Sequence, residues 1–567
     1  MHGFCTDWRQ LMQITAFVRA ESLFMPILAA FGPLDWGIVG LYLALMIYMG
    51  VFAAKKNQNT EEYFLADRSM PTWAVAVSVV ATSLSAATFV GVPDEAFKGN
   101  LSYLVLNVGG FLSVLIVAAL FVPKLYRAGT VTIYGYLNQR YGETARIATS
   151  LMFLFGRTLA SAARLFIAAL PLCLLLFAKR NQSDFQPSTA QLILAICMIG
   201  LVGTFYTMFG GVRTVVWIDN IQFLIVIGAA ILSVTLLLHR IPLSLSQIVD
   251  VLGQPGTAPM GHSKLHLFET STDPKLPFTL WTAIFGTTFL STAAYGVDQD
   301  LAQRFLVAKS VARGGLSLLW AQIISITVVS VFLIIGLLLY IFYKRPDIMG
   351  ITPPAPGKYA AYPWFILNEL PTIASGVAIA GFFAIAQGSM DSAINALASS
   401  AVADIYHPIR RRLGYPDDAK TNTRTPKYAV AAMGIIMALF AIVCALVYDQ
   451  NNRSLIDFAL GVMAFAFTGM LAVFLTALLT KRGNTASVLT ALITGVLTVT
   501  LLQQKIMGWW TLKLFGHAYA LASTWWMPIG TILSFLVCAS GTSTRPPAIR
   551  TSPTPAASQN PTAKPVA

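Results

Sequence analysis

Charged side chains are scarce in this sequence. Asp, Glu, Lys and Arg together make up 11% of the 567 residues, whereas soluble proteins carry about 25%. Apolar residues make up 56%, and they form many uninterrupted runs of about 20 residues, the length that crosses a bilayer core as a helix. This composition predicts an all-α, multi-pass membrane protein in contact with the lipid bilayer, with one membrane domain rather than several soluble ones.

The sequence also lacks the patterns of nucleic-acid binding, redox chemistry and covalent catalysis. Its net charge is +14, but the positive residues lie in short loops between apolar runs, which is typical of membrane topology and not of a phosphate-binding surface. None of the five cysteines is spaced for a metal or redox site. With no nucleophile–base constellation either, we expect no nucleic-acid partner, no cofactor, no catalytic residue and no enzyme activity.

Histidine is absent from the apolar runs. His262 and His266 are spaced i,i+4, but they lie in a loop that is rich in Pro and Gly. We expect that loop to be solvated rather than to bind a metal ion.

Thirteen apolar runs are predicted to be membrane spans. They cover residues 35–54, 72–97, 101–122, 147–178, 190–209, 215–238, 279–300, 315–343, 373–406, 428–449, 455–480, 486–503 and 523–541. They define a transmembrane domain over residues 35–541, preceded by an extracytoplasmic segment, 1–34. Residues 542–567 are rich in Pro, Ser, Thr and Ala and predict a disordered cytoplasmic tail. Both Met1 and Met25 stay open as the start of the chain.

Alternate loops between these spans differ in their content of Lys and Arg. The basic loops are those at 55–68, 124–146, 213, 304–313, 410–427 and 481–482. Basic loops stay on the cytoplasmic side of a membrane. The sequence therefore predicts a protein of the cell inner (plasma) membrane with its N-terminus outside and its C-terminus in the cytoplasm.

Two of the spans contain helix-weakening residues at mid-membrane depth. The second span carries Ser83, Ser85, Gly91 and Pro93, and the seventh carries a run of hydroxyl residues and glycines over 286–296. Free backbone groups are tolerated in a membrane only where they face a cavity or a ligand. Corresponding breaks five spans apart indicate a secondary transporter built from inverted repeats. The two repeats are predicted over residues 72–238 and 279–480.

A carboxylate, Asp391, lies inside the ninth span. An ionisable group in a membrane is a functional candidate by default, although neighbouring hydroxyls can also satisfy a structural carboxylate. Gly388, Asp391 and Asn395 follow one face of a helix, and the oxygen donors of this stretch suit a small hard cation rather than a soft metal. Asp219 opens the sixth span, either as a second carboxylate for an ion or as a helix-start residue favoured by the helix dipole.

Other charges lie in the fourth and seventh spans. Arg164 has no carboxylate at i±3 or i±4, so it requires a partner on another helix or an anionic substrate. Asp298 and Gln299 are predicted to line a cavity. Asp300 and Arg304 are spaced as an i,i+4 pair, which is typical of a helix end at the membrane edge.

The chain resembles the sodium:solute symporter family, which includes proline, sugar, sialic acid, pantothenate and iodide carriers. Five stretches in order carry the resemblance: Glu61–Pro71, Ala81–Pro93, Gly210–Gln222, Asp298–Arg304 and Gly388–Tyr406. The resemblance implies two inverted five-helix repeats, as in a bacterial amino-acid transporter, with sodium and substrate at the broken helices. It implies alternating access without covalent chemistry.

The resemblance also implies a set of sodium ligands. The first sodium ion would be bound by the backbone carbonyls of Ala81, Leu84 and Ile385 and by side chains at positions 388 and 389. Ser389 keeps its hydroxyl, whereas the family's usual serine at position 388 is replaced here by Gly388, so one side-chain ligand is missing. A second site, present in some members, would be formed by Asp219, Asp391 and Ser392. Two buried carboxylates without a cation repel each other, which favours either a bridging sodium ion or a protonated Asp391.

The substrate contacts implied by the resemblance lie on the two broken helices. They are Ser83, Ser85, Thr88, Tyr295, Asp298 and Gln299. Independently of the resemblance, Arg164 would attract a substrate carboxylate if it reaches this site. The predicted function is sodium-coupled symport of a small hydrophilic solute, an organic acid, acidic sugar or sugar. Proton-coupled symport is the alternative, followed by a transporter-like sensor and a channel. The oligomeric state stays open.

Overall fold

The computed structural model describes residues 31–53, 60–182, 184–357, 359–415, 424–447 and 455–542. Within these residues the fold is all-helical and contains no strand. The predicted tail beyond residue 542, residues 1–30 of the N-terminal segment and the choice between Met1 and Met25 lie outside the described residues.

The helices follow one another in the following order. They are α1 (Pro33–Ala53), α2 (Thr60–Leu65), α3 (Thr72–Ser83), α4 (Ala86–Lys98), α5 (Leu106–Ile116), α6 (Val122–Arg127), α7 (Tyr134–Tyr141), α8 (Glu143–Phe177), α9 (Thr189–Arg240), α10 (Leu245–Gly253), α11 (Thr288–Gly296), α12 (Gln299–Leu306), α13 (Val311–Lys344), α14 (Pro346–Met349), α15 (Ala361–Asn368), α16 (Ala374–Ser400), α17 (His407–Arg412), α18 (Arg424–Val447), α19 (Leu455–Leu479), α20 (Thr485–Leu502), α21 (Gln504–Phe515) and α22 (Trp526–Ser540). Wider π turns precede α11 at Thr282–Thr287 and follow α16 at Ala401–Tyr406.

Nine helical segments of the described chain are long and apolar enough to cross a membrane, or ten if the bent pair α3–α4 is one span. The 52-residue α9 is interrupted at Gly211, whose φ of 65° and ψ of −176° are not helical. A residue without a Cβ adopts this backbone conformation at little cost. The break divides α9 at the place where the sequence separates two spans, but the total of thirteen spans stays a prediction.

The first predicted break is present between α3 and α4. The two helices meet at an angle of 69°, and Leu84 and Ser85 between them have extended backbone conformations. Carbonyl groups in the last turn of α3 therefore lack the amide partners that a continuous helix would supply. Polar backbone is thus available in the interior of the protein.

The second break lies a few residues later than the sequence suggests. The chain leaves the helical path at Val297 and Asp298, beyond the Gly286–Gly296 run, and α12 begins at Gln299. The Asp298 side chain accepts a hydrogen bond from the Asp300 amide at 3.0 Å. Asp298 is therefore the N-cap residue of the second half-helix, a role that carboxylates fill well because they satisfy free amide groups.

Helix α16 forms the centre of the bundle. Nearly all of its residues from Ala374 to Ser400 are buried, and it packs along α9 and against α1, α3, α8, α12 and α18. Its N-terminus is capped from another helix, since Asp35 of α1 accepts hydrogen bonds from the Ile373 and Gly376 amides at 2.9 and 3.0 Å. A carboxylate at a helix N-terminus is stabilising, so this contact fixes the depth of α16 relative to α1.

Candidate functional site

Three helices meet at Gly388. A Cβ atom at this position would lie 2.8 Å from Oε1 of Gln222 on α9 and 3.9 Å from the Ala81 carbonyl oxygen at the end of α3. The Ala81 carbonyl, a predicted sodium ligand, therefore lies close to Gly388, the position where the family's usual serine ligand is missing. Leu84 lies in the neighbouring break. Ile385 and Ser389 flank Gly388 on α16 and are buried, and the Ser389 hydroxyl donates to the Ala386 carbonyl at 3.2 Å.

The orientation of the Gln222 amide is determined by two buried tyrosines. Tyr42 donates its hydroxyl proton to Gln387 at 2.7 Å, and Tyr206 donates its proton to Asp391 at 2.8 Å. Both hydroxyl oxygens therefore accept from Gln222 Nε2, at 3.2 and 3.4 Å. This leaves Gln222 Oε1 directed at Gly388, buried and without a hydrogen-bond partner. A buried acceptor without a partner costs about 1–3 kcal/mol, so this oxygen is a candidate ligand for a cation.

Asp391 is fully buried, and both of its oxygens accept hydrogen bonds. Its Oδ2 accepts from Tyr206, and its Oδ1 accepts from the Ser392 amide at 2.6 Å. Asp391 lies one turn beyond Gly388, so the Tyr206 hydroxyl connects the carboxylate to the Gln222 amide.

The second predicted ion position contains an internal cation, Arg304. Its Nη2 lies 3.4 Å from Asp219 Oδ2 and donates to the Ser392 hydroxyl, while its Nε donates to Thr82 at 3.4 Å. Asp219 also accepts from the Ser78 hydroxyl at 2.5 Å, and its Oδ1 has no hydrogen-bond partner. The guanidinium therefore balances Asp219 within the residues predicted to bind a second sodium ion.

The interpretation of Asp300 and Arg304 as a helix-end pair is wrong. Both side chains are fully buried, and Asp300 instead accepts from Arg157 Nη2 of α8. The Nη1 group of Arg157 donates to Asp298 at 2.7 Å. One buried arginine thus holds both carboxylates at the start of α12, because α12 is buried among other helices and its charged side chains meet those helices instead of solvent.

The predicted substrate residues fall into two groups. Gln299 is engaged by backbone: its Oε1 accepts from the Ile133 amide at 3.0 Å and its Nε2 donates to the Val131 carbonyl at 3.3 Å. Asp298 is engaged by Arg157. The second group is Ser83, Ser85, Thr88, Arg164 and Tyr295. Ser83, Thr88 and Arg164 are partly exposed, whereas Ser85 and Tyr295 are buried but lie next to the two helix breaks.

The relationship of this chain to known proteins agrees with this geometry. The profile of the sodium:solute symporter family matches residues 63–495, most of the sequence. The chain belongs to the sodium:solute symporter family. Sodium-coupled solute symport is accordingly its activity, with sodium as the coupling ion, and it is a multi-pass membrane protein.

This symporter is similar in sequence or structure to three proteins of known name. A sodium/sialic acid symporter of Proteus mirabilis is 26% identical over 83% of this chain and 89% of its own length. The human sodium/iodide cotransporter is 28% identical over 68% of this chain and 57% of its own length. A substrate-bound, outward-open structure of a Na⁺-coupled sialic acid symporter, described as having a novel Na⁺ site, has a TM-score of 0.73 and 23% identity, over 90% of this chain and 98% of that one. That structural likeness establishes the shared fold.

Several residues of the candidate site were not predicted from the sequence. Arg157 lies seven residues before Arg164 on the same face of α8, yet only the second arginine attracted attention. In the sequence, Tyr42 and Tyr206 are typical aromatic residues of apolar spans. No local pattern predicts the hydrogen-bond partners of their hydroxyl groups. Gln222 ends the Gly210–Gln222 motif at the start of the sixth span, but the sequence predicts no role for it, although an amide in an apolar span is costly to bury unless it is hydrogen-bonded.

Proposed function

We propose that this symporter binds one sodium ion at the break between α3 and α4 and couples its entry to the uptake of an anionic solute. The observation that carries the proposal is the unpartnered Gln222 oxygen, which faces Gly388, the residue that the Ala81 carbonyl also approaches. Oxygen donors of this kind suit a hard monovalent cation. The proposed ligands are the carbonyls of Ala81, Leu84 and Ile385, the Ser389 hydroxyl and the Gln222 amide oxygen.

In this proposal Gln222 replaces the side-chain ligand that is lost at Gly388. The amide oxygen lies where a side chain on residue 388 would begin, 2.8 Å from the ideal Cβ position. A serine at 388 would thus require the Gln222 amide to shift from its present position. The substitution by glycine opens the space, and the tyrosine pair directs the amide oxygen into it.

The second ion position is proposed to be held by Arg304 instead of a sodium ion. The residues Asp219, Asp391 and Ser392 were candidates because two buried carboxylates require a positive charge nearby. Arg304 supplies that charge from α12, through its contacts with Asp219 and Ser392. The proposed stoichiometry is therefore one sodium ion per transport cycle, and proton coupling through Asp391 is not needed to relieve the repulsion.

An anion with a carboxylate is the proposed substrate class. Two of the similar proteins described above are named as carriers of sialic acid and of iodide, and both of these solutes are anions. Arg164, partly exposed and two helical turns beyond Arg157 on α8, is the proposed partner of the substrate carboxylate. Ser83, Ser85, Thr88 and Tyr295 are proposed to contact the remainder of the solute.

The proposed architecture is the pair of inverted repeats over 72–238 and 279–480, within thirteen spans of the plasma membrane. The N-terminus is proposed to face outside and the C-terminus the cytoplasm. Sodium binding would order the α3–α4 break and favour the state that binds substrate, and substrate would favour the same state for sodium, because such coupling is reciprocal. No covalent step is required in such a cycle.

Uptake into proteoliposomes tests this function. With an inward sodium gradient, labelled acidic sugars and short monocarboxylates are expected to accumulate, whereas a neutral hexose is not. The reason is the single positive charge proposed for the substrate site. An Arg164→Gln variant is expected to lose uptake more than Arg164→Lys, with protein incorporation measured for both.

The control for this assay is a proton gradient of equal size in sodium-free buffer. Equal accumulation under that gradient would establish proton coupling and contradict the sodium proposal. Accumulation of the neutral hexose in preference to the acids would contradict the substrate class.

The proposed ligand exchange between Gln222 and residue 388 is tested by a swap. Gln222→Ala is expected to raise the sodium concentration for half-maximal uptake by about 10–100-fold, because a bond to a charged group contributes about 1.5–3 kcal/mol. The Gln222→Ala/Gly388→Ser variant is expected to recover most of that loss, since the serine hydroxyl regains the vacated position. Sodium dependence is measured from initial rates at constant ionic strength.

The matched control for the swap is Asn220→Ala, two residues away on the same helix, whose amide donates to backbone carbonyls of Ala74 and Val216. This variant is expected to leave the sodium dependence unchanged. A double variant no better than Gln222→Ala alone would contradict the exchange.

A further inference from the structure

The segment between α10 and the second broken helix brings together two imidazoles and a carboxylate. His262 Nε2 lies 3.3 Å and His266 Nε2 3.6 Å from the same oxygen, Oε2 of Glu269. The two rings stack with centroids 3.9 Å apart and planes 9° apart. The loop folds back on itself and turns these three side chains toward one another, while His262 and His266 keep 34% and 26% of their side chains exposed.

Backbone contacts hold this loop in its shape. The Ala258 amide donates to the His262 carbonyl at 3.0 Å, and the Leu280 amide donates to the Glu269 carbonyl at 2.8 Å. The Ser271 amide donates to Glu269 Oε1 at 2.8 Å. One carboxylate oxygen is thus fixed by backbone while the other faces the imidazoles, which is how an outer hydrogen bond orients a metal-binding carboxylate.

Hydrogen bonding does not explain the convergence of the three groups. Nε2 of His266 is buried and has no hydrogen-bond partner, and its 3.6 Å separation from Glu269 is too long for one. Two ligands at 2.0–2.1 Å from a tetrahedral zinc ion lie about 3.3 Å apart, close to the separations observed here. Two histidines and one glutamate are also a common zinc ligand set that leaves a fourth position open.

We propose that His262, His266 and Glu269 bind a divalent transition-metal ion, with Zn²⁺ as the preferred ion. Imidazole nitrogen and carboxylate oxygen suit Zn²⁺, whereas Ca²⁺ and Mg²⁺ prefer all-oxygen sites. Binding tilts the two imidazoles toward each other so that both lone pairs meet at one ion. The site shares no residue with the proposed sodium and substrate sites.

The metal site is connected to the first broken helix through Lys264, which lies between the two histidines. Its buried ammonium donates to the carbonyls of Ala96, Phe97 and Gly99 at 3.2, 2.7 and 2.7 Å. These carbonyls lie at the C-terminal end of α4, where a positive charge is stabilising. An ion that braces residues 262–269 therefore also holds this end of α4 and opposes its movement.

Zinc binding is tested on the full-length protein in lipid nanodiscs, by calorimetry with zinc as the titrant. One zinc ion per chain is expected, and Glu269→Gln and His262→Ala/His266→Ala are expected to weaken binding by more than about tenfold. His239→Ala/His517→Ala is the matched control, since these two exposed histidines lie outside the site, and it should bind zinc as the unaltered protein does. Unchanged zinc binding by the His262→Ala/His266→Ala variant, or no saturable binding by the unaltered protein, would overturn the site.

The connection to α4 is tested by hydrogen exchange of the amides of residues 95–100. Zinc is expected to slow this exchange in the unaltered protein. Lys264→Met is expected to bind zinc but to show no such slowing, because its side chain cannot donate to the carbonyls of α4. Equal slowing in Lys264→Met would overturn the connection, and neither readout depends on the proposed transport function.

Discussion

An Arg157→Met variant is expected to lose about 3–5 kcal/mol of its free energy of unfolding, because removal of one partner leaves buried charge uncompensated. Arg157 is the shared partner of Asp298 and Asp300, and all three side chains are buried. The two carboxylates begin the second half of the broken helix, so their repulsion would act directly on α12. Reversible unfolding in mixed detergent micelles measures the change.

The charge origin of this loss is tested by restoring neutrality. The Arg157→Met/Asp298→Asn/Asp300→Asn variant is expected to recover most of the lost stability, since no unpaired charge remains. Arg345→Met is the control, because the Arg345–Asp347 pair has the same 2.7 Å separation at the surface, with 22% and 58% of the two side chains exposed. Exposed pairs contribute about 0–1 kcal/mol, so a loss as large as that of Arg157→Met would contradict the role of burial.

Removal of Arg304 is expected to make the stability of the protein depend more strongly on sodium. Arg304→Met leaves Asp219 buried without its cation, at a cost of about 3–5 kcal/mol in sodium-free buffer. A sodium ion is then expected to enter between Asp219, Asp391 and Ser392 and to restore part of the stability, by mass action on the folded state. Unfolding is compared in sodium chloride and choline chloride at equal ionic strength, with the unaltered protein's own sodium response subtracted.

Two further variants separate the effect of this site from that of charge in general. Arg304→Met/Asp219→Asn is expected to be more stable than Arg304→Met without sodium and to lose the additional sodium response. Arg213→Met is the matched control, since Arg213 also lies 3.4 Å from its carboxylate partner, Asp67, but with 31% and 61% of the two side chains exposed.

A cooperative sodium dependence of uptake by the unaltered protein, with a Hill coefficient near two, would contradict the single-sodium proposal.

The first broken helix and the position of Gly388 could be predicted because their signals are local. Hydroxyl residues, Gly91 and Pro93 interrupt an apolar run, and the family motif identifies position 388 by its neighbours. The structure places the break at Leu84 and Ser85, within the predicted stretch. The second break was predicted less well, because a buried capping carboxylate, Asp298, decides its position rather than the glycines before it.

The partners of the buried charges could not be predicted in this way. Asp300 and Arg304 have ideal spacing for a pair on one helix, yet each pairs with a different helix. Helical periodicity tells which residues share a face, but it does not tell which helix that face meets. The sequence predicts that buried Asp219 and Asp391 need a nearby positive charge, but it does not identify Arg304, whose Nη2 lies 3.4 Å from Asp219 Oδ2.

The sequence by itself determined that this protein is an all-helical, multi-pass membrane protein, where its first broken helix lies, and its family, since apolar length, helix-breaking residues and ordered motifs are all properties of contiguous segments. Only the tertiary structure decided which groups compensate one another. Arg157 lies 141 residues from Asp298, and Gln222 lies 180 residues from Tyr42. Low dielectric makes such pairings energetically decisive, and they become visible only once packing has brought the helices together.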